Sequence, residues 1–135
     1  MRVICLDIGE RRIGVAVSDP LDLTAQGLET IFTRGTQNDA ARVAELCRRY
    51  ETTRILCGLP LNMDGSEGFQ AQKVKAFAQQ LQNAGMEVIF QDERLTTVSA
   101  HEVLIEGGMR REERKHNVDK VAASFILQSY LDGET

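Results

Sequence analysis

Only two prolines, three cysteines and 5% aromatic residues occur in this chain of 135, and it carries no excess of positive charge. Each shortage excludes something. With so few prolines and 42% hydrophobic residues, disorder is excluded as the main state. No apolar run nears the roughly 20 residues that a bilayer span requires, so no membrane association is expected. Cys5, Cys47 and Cys57 are odd in number, lack CxxC spacing and sit among apolar neighbours, so neither a disulfide framework nor a zinc site is expected. Sixteen Lys plus Arg against twenty Asp plus Glu give a formal charge of −4. That balance speaks against coating nucleic acid by bulk charge and leaves room for a local basic patch. The length fits a single domain, 1–135, that buries roughly two-thirds of its unfolded surface. Met1 leads straight into the strand-like run Arg2-Val3-Ile4-Cys5-Leu6-Asp7, so no signal peptide and a cytoplasmic setting are expected.

What is present is patterned. Val3, Cys5 and Asp7 alternate with Ile4, Leu6 and Ile8, and both sets are apolar until Asp7, which predicts a central strand covered on both faces. The turn Gly9-Glu10-Arg11 leads to a second strand over 12–18. Its large face is Ile13, Val15 and Val17; its small face, Gly14, Ala16 and Ser18, admits close approach of another element. A third strand over 28–32 completes an antiparallel meander. The period then turns helical at Ala40, Val43, Ala44 and Cys47, before the buried-type run Ile55-Leu56-Cys57. A second helical set, Val74, Phe77, Ala78 and Leu81, stops at Gly85 and precedes Val88-Ile89-Phe90. Right-handed helical crossovers make these later strands parallel. Thr96 or Thr97 can cap a third helix ending at Gly107-Gly108. Asn117 can cap a last one with Val118, Val121, Ala122, Phe125 and Ile126 on one face. The expected fold class is α/β: a mixed five-stranded sheet, three antiparallel strands and then parallel ones, with helices on both faces.

Ligands of such sheets gather outside the C-terminal ends of the parallel strands. Asp7 ends the first strand there, and Asp92-Glu93 ends the last, with alternation sending those two to opposite faces. Asp119 stands in the first turn of the final predicted helix, in phase with Ala122, Ala123 and Ile126. Carboxylates converging from distant parts of the chain repel one another unless a cation lies between them, and oxygen-only ligation favours Mg²⁺ or Mn²⁺. Phosphodiester hydrolysis with two metals is the chemistry that fits, one ion on the attacking side and one on the leaving side. Ordinary roles are open too: Asp7 can cap the hairpin turn, Asp92 a helix, and Asp119 can complement a helix dipole.

The loop from Gly58 to Gly68 joins a buried strand to a helix and offers backbone N–H groups to a phosphate, although it lacks the ending of a nucleotide P-loop. Arg110, Arg111, Arg114, Lys115 and His116, interrupted by Glu112 and Glu113, form the one basic cluster, directly before Asp119. It can guide a phosphate backbone or be a solvated loop. The five Phe and two Tyr read mostly as core positions, which gives little support to a base-stacking platform.

Four segments, taken together, resemble a known family: Leu6-Asp7-Ile8-Gly9 with Arg12-Ile13-Gly14-Val15-Ala16-Val17-Ser18-Asp19; Gly58-Leu59-Pro60-Leu61-Asn62-Met63-Asp64-Gly65; Asp92-Glu93-Arg94-Leu95-Thr96-Thr97; and Asp119-Lys120-Val121-Ala122-Ala123 with Ile126-Leu127-Gln128-Ser129-Tyr130-Leu131. In order and over essentially the full chain they are similar to the YqgF or RuvX family of Holliday-junction-resolvase-like nucleases. The resemblance implies an RNase H-like fold, a bacterial cytoplasmic setting and a role in maturing the 5′ end of pre-16S rRNA. It implies an acidic triad of Asp7, the Asp92-Glu93 pair and Asp119, with Glu93 favoured over Asp92 as a metal ligand. The expected nucleic-acid contacts are Arg11, Arg12, Asn62, Gly65, Arg94, Arg110, Arg111, Arg114 and Lys115. The expected partners are precursor rRNA or branched DNA, and the expected state is a monomer or weak homodimer. Two other readings stand beside it: a non-catalytic binding protein of ribosome assembly or transcription, and an actin-like ATPase domain, for which 135 residues supply only one of the two domains needed.

Overall fold

The computed structural model describes residues 1–92 and 111–133, with side chains described at 1–92 and 120–133. The strands are β1 (Val3–Ile8), β2 (Arg12–Ser18), β3 (Ala25–Phe32), β4 (Arg54–Leu59) and β5 (Glu87–Asp92). They form one sheet in the order β3-β2-β1-β4-β5. The β1–β2 and β2–β3 pairs are antiparallel, and β1–β4 and β4–β5 are parallel. This is the meander followed by helical crossovers that the change of period predicts.

The alternation in β1 divides the interior into two cores. Ile4, Leu6 and Ile8 pack with Val43, Leu46 and Cys47 of α1 (Thr36–Arg49) and Val74, Phe77 and Leu81 of α2 (Phe69–Asn83). Val3 and Cys5 pack instead with Ala16, Leu56 and the residues Ala123, Ile126 and Leu127 of α3 (Arg111–Gly133). The small face of β2 is what lets α3 lie close. A Cβ on Gly27 of β3 would already be 3.5 Å from the Lys120 carbonyl oxygen. All three cysteines are buried, as their apolar settings imply, and burial pushes the Cys47 thiol up to about 11.

Helix ends follow local chemistry. α2 stops where Gly85 adopts φ +94°, with Gly85 N–H donating to Gln82 O and Met86 N–H to Leu81 O. Before α1, the buried Asp39 carboxylate accepts the Arg34 N–H at 3.0 Å, reaching back across the helix start. At the far end of the sheet, Ser18 Oγ accepts the Val3 N–H and donates to Asp22. The exposed Asp19 carboxylate accepts N–H bonds from Thr24, Leu23 and Leu21, and these bonds, Thr24's foremost, hold its pKa below the usual carboxylate value. Asp19 is thus the organiser of the β2–β3 turn.

Three expectations need correction. β3 begins at Ala25 rather than 28, and its register with β2 shifts between Val15 and Ala16. The last helix begins by Arg111, so Asn117 lies inside it and is no cap. Arg, Glu and Lys between 111 and 115 are good helix formers and nothing there breaks the backbone, so the basic cluster from Arg111 onward is helical and not a loop. The buried stripe of that helix is Ala122, Ala123, Ile126 and Leu127, while Val121 and Phe125 are only half-buried. The helix is turned so that its two alanines meet the small face of β2. The helix predicted between Thr96 and Gly108 lies outside the described residues.

The tight seam between α3 and the sheet gives a direct test. Ala123→Leu adds volume where exposure is 0%, and should destabilise the fold by about 1–3 kcal/mol. Urea unfolding should show a lower midpoint at unchanged slope.

Candidate functional site

Asp7 stands at the C-terminal end of the central strand, half-buried, on the face it shares with Val3 and Cys5 and therefore with α3. Its partner in the β1–β2 register is Gly14, so the residue directly opposite contributes no side chain. The backbone on either side of it is pinned. Gln70, in the first turn of α2, donates its side-chain amide to the Ile8 carbonyl at 2.8 Å. The Gly9 N–H donates to the Arg12 carbonyl at 2.8 Å, and a Cβ on Gly9 would lie 2.9 Å from that same oxygen. Only glycine lets the hairpin close this tightly behind Asp7.

Alternation separates the other acidic candidates. In β5, Val88 packs with the α1–α2 core and Ile89 with the α3 core. Asp92 therefore belongs to the α1–α2 face, opposite Asp7. Glu93 lies outside the described residues. Position 119 is in the first half of α3, one residue before Lys120, whose side chain and carbonyl lie against Gly27. The helix that carries it packs on Asp7's face of the sheet. Among the described residues no three His, Cys, Asp or Glu side chains converge as a metal-binding group.

The basic candidates divide between two elements. Arg11 and Arg12 lie at the β1–β2 turn, Arg11 exposed and Arg12 half-buried. Positions 111, 115 and 119 fall at successive fourth residues of α3, so Lys115 and Asp119 occupy one helical stripe, with Arg114 beside it. Arg94 and Arg110 lie outside the described residues. The Gly58–Gly68 segment leaves the end of β4 as a compact loop, exposed over 62–67 and closed by a bridge between Leu61 and Glu67. Within it the Asn62 side-chain amide donates to Ser66 Oγ, Gly65 N–H donates to Asn62 O, and Asp64 accepts both the N–H and the hydroxyl of Ser66. The backbone donors of Asn62 and Gly65 are thus engaged in holding the loop's own shape.

Three aromatic residues depart from the core placement expected of most of them: Phe69 is 82% exposed, Phe32 52% and Phe90 36%, whereas Phe77 is buried and Tyr50 and Tyr130 pack against the cores. The sequence carried no signal for this. A phenylalanine at strand spacing reads as core unless the register is known, and the β3 register contains an irregularity that periodicity does not reveal.

Comparison with known proteins agrees with this architecture. The family model described as "RuvX: Holliday junction resolvase" matches residues 1–133. A protein of Moorella thermoacetica named "Putative pre-16S rRNA nuclease" is 53% identical over 133 residues, covering 98% of this chain and 95% of that one. One of the same name from Clostridium acetobutylicum is 47% identical over 133 residues, covering 98% of each. Among solved structures, T. thermophilus RuvC in complex with a Holliday junction substrate aligns with TM-score 0.58 at 18% identity, over 97% of this chain and 96% of that one. The Fowlpox virus resolvase bound to Holliday junction DNA aligns with TM-score 0.57 at 19% identity, over 98% and 97%. These structural likenesses establish the RuvC-type, RNase H-like fold.

The closed turn behind Asp7 should be sensitive to a single methyl group. Gly9→Ala forces the Arg12 carbonyl away and should cost about 1–3 kcal/mol of stability. Differential scanning calorimetry should record the loss, and Gly35→Ala, with nothing within 4 Å of its Cβ but a φ of +97°, gives the comparison for strain without a clash.

Proposed function

The chain belongs to the RuvX family, and on that premise we propose that it is a metal-dependent nuclease that hydrolyses phosphodiester bonds in the 5′-end processing of pre-16S rRNA. The observation that carries the reading is Asp7: a carboxylate at the C-terminal end of the central strand, on the sheet face covered by the helix that bears Asp119. Fold alone hosts many chemistries, so the reading rests on this site and on the family, not on the architecture.

Asp7, Glu93 and Asp119 would hold the divalent cations, Mg²⁺ or Mn²⁺. The donor chemistry fits, because the set is all carboxylate oxygen and the three thiols are buried in the cores. When bound, the metal supplies Lewis acidity to the scissile phosphate and offsets the repulsion between the carboxylates. Asp92 belongs to the other face and is left out of the set, which makes Glu93 the acidic ligand from the end of β5. Gln70 and the Gly9–Arg12 turn keep Asp7 in place without rearrangement as substrate arrives. Arg11, Arg12 and the α3 residues Arg111, Arg114 and Lys115 bind flanking phosphates, with Arg94 and Arg110 in the same role. In this reading a chain of net charge −4 holds a polyanion through a local set of cations and not through bulk charge. Asn62 and Gly65 shape the loop that borders this edge. The protein acts as one domain, in the cytoplasm, on RNA in preference to branched DNA.

The test sets a transcript of the 16S precursor leader beside a four-way DNA junction, each with Mg²⁺ or Mn²⁺ and each with chelator. Cleavage of the RNA should require metal, and Asp7→Asn should reduce it by at least about 100-fold. Preferential cutting of the junction, or cleavage that survives chelation or Asp7→Asn, contradicts the proposal.

A further inference from the structure

One aromatic side chain is displaced from the core by an irregularity in the sheet. Along β3, Ala25 packs with the α3 core and Gly27 lies against Lys120, so the strand starts with its odd-numbered residues on the α3 face. Farther on, Glu29 bonds Arg42 of α1 and Ile31 lies in the α1–α2 core, so the odd-numbered residues have changed face. Leu28, also against that core, is the additional residue: Val15 pairs with Glu29, whereas Ala16 pairs with Gly27. This is a β-bulge, and it reverses the phase of everything after it. Thr30 and Phe32 consequently fall on the α3 face.

That face is Asp7's. Asp7 pairs with Gly14, and Gly14 with Thr30, in one row across the sheet; two residues nearer the edge, Arg12 pairs directly with Phe32. Strand spacing and rise put the Arg12 and Phe32 Cα atoms about 8 and 12 Å from that of Asp7. A strand of nucleic acid with its scissile phosphate at Asp7 can pass both. Isolated exposed apolar side chains are common and by themselves mean little. Leu21 and Leu23, 75% and 64% exposed at the opposite end of the sheet, are of that kind. Phe32 differs from them in three ways: it is aromatic, it is opposed by a cation, and a bulge turns it onto the face of the acidic group.

We propose that Phe32 and Arg12 form a subsite for the single-stranded RNA nucleotide flanking the scissile phosphate, Phe32 stacking on its base and Arg12 binding its phosphate. The proposal rests on the nuclease reading and deepens it. Stacking on an aromatic ring is sequence-tolerant, because every base presents a π-face. The subsite therefore positions the strand without selecting its sequence, and it favours an unpaired base over one held in a duplex.

The experiment measures binding of a short single-stranded RNA to the full chain in an Asp7→Asn background, in which the RNA stays intact. Phe32→Ala should weaken Kd by about 5- to 150-fold, the worth of one stacked base, and Phe32→Trp should restore it. An abasic residue walked along the RNA should find one position where the parent loses affinity by the same factor and Phe32→Ala loses nothing more. Arg12→Gln should shallow the log–log salt slope by about 0.7, the value for one single-strand phosphate, while Phe32→Ala leaves the slope unchanged. Leu23→Ala should bind like the parent, and thermal melting should confirm that each variant folds. Unchanged affinity in Phe32→Ala, or abasic penalties that persist undiminished in it, overturns the subsite and leaves the nuclease reading standing if the wild type still cuts RNA. Loss of self-association in Phe32→Ala at unchanged RNA affinity would make Phe32 a contact between copies and overturns the subsite as well. A parent that binds no RNA while wild type cuts none overturns both.

Discussion

The two-residue period of β1 governs the molecule. It sends Ile4, Leu6 and Ile8 to one core and Val3 and Cys5 to the other. Asp7 takes the next place in the second series, where an apolar residue would otherwise continue the contact with α3. A carboxylate is costly to bury away from water or a compensating cation. It is tolerable here because the strand ends one residue later and because Gly14, beside it, contributes no apolar side chain to surround it. The same alternation sorts β5, placing Asp92 with the α1–α2 face. The face of the sheet, more than position along the chain, decides which acidic residues can act together.

Closeness of α3 is the second condition. A helix carrying one of the acidic residues must come near the sheet, and large side chains on β2 would hold it away. Gly14, Ala16, Gly27, Ala122 and Ala123 remove that obstacle, with the alanines fully buried. The last turns of the helix are then tied down at the far end of the sheet, where Gln128 accepts the Ala25 N–H and donates to the Leu23 carbonyl. A helix fixed there, and seated along Ala123 and Ile126, presents its first half toward the strand ends.

Much of this was legible in the sequence. The double-faced apolar pattern of 3–8, the unequal faces of 12–18 and the helical sets stopped at Gly85 are local patterns, and they led directly to the meander, to the parallel strands after it and to the edge where Asp7 lies. The same period-two rule sets Asp92 and Glu93 apart, and Asp92 stands on the face opposite Asp7. What escaped were features set by pairing rather than by periodicity. The bulge at Leu28 is a property of two strands, so a run of Leu28, Thr30 and Phe32 gave no hint that Phe32 leaves the core. The early start of the last helix escaped because Asn117 is a good cap in isolation, whereas the charged residues before it are good helix formers in their own right. The inward role of Asn62 and Gly65 depends on hydrogen bonds within the loop that no residue type announces.

We propose that Asp7, Glu93 and Asp119 form the metal site and that Asp92, on the sheet face opposite Asp7, takes no part in it. Calorimetric titration of Mn²⁺ into the wild type and into Asp7→Asn, Glu93→Gln, Asp119→Asn and Asp92→Asn tests it most directly. The first three substitutions should each weaken binding by about 10-fold or more, while Asp92→Asn should bind like the wild type. Loss of Mn²⁺ binding in Asp92→Asn, with Glu93→Gln unaffected, would contradict it.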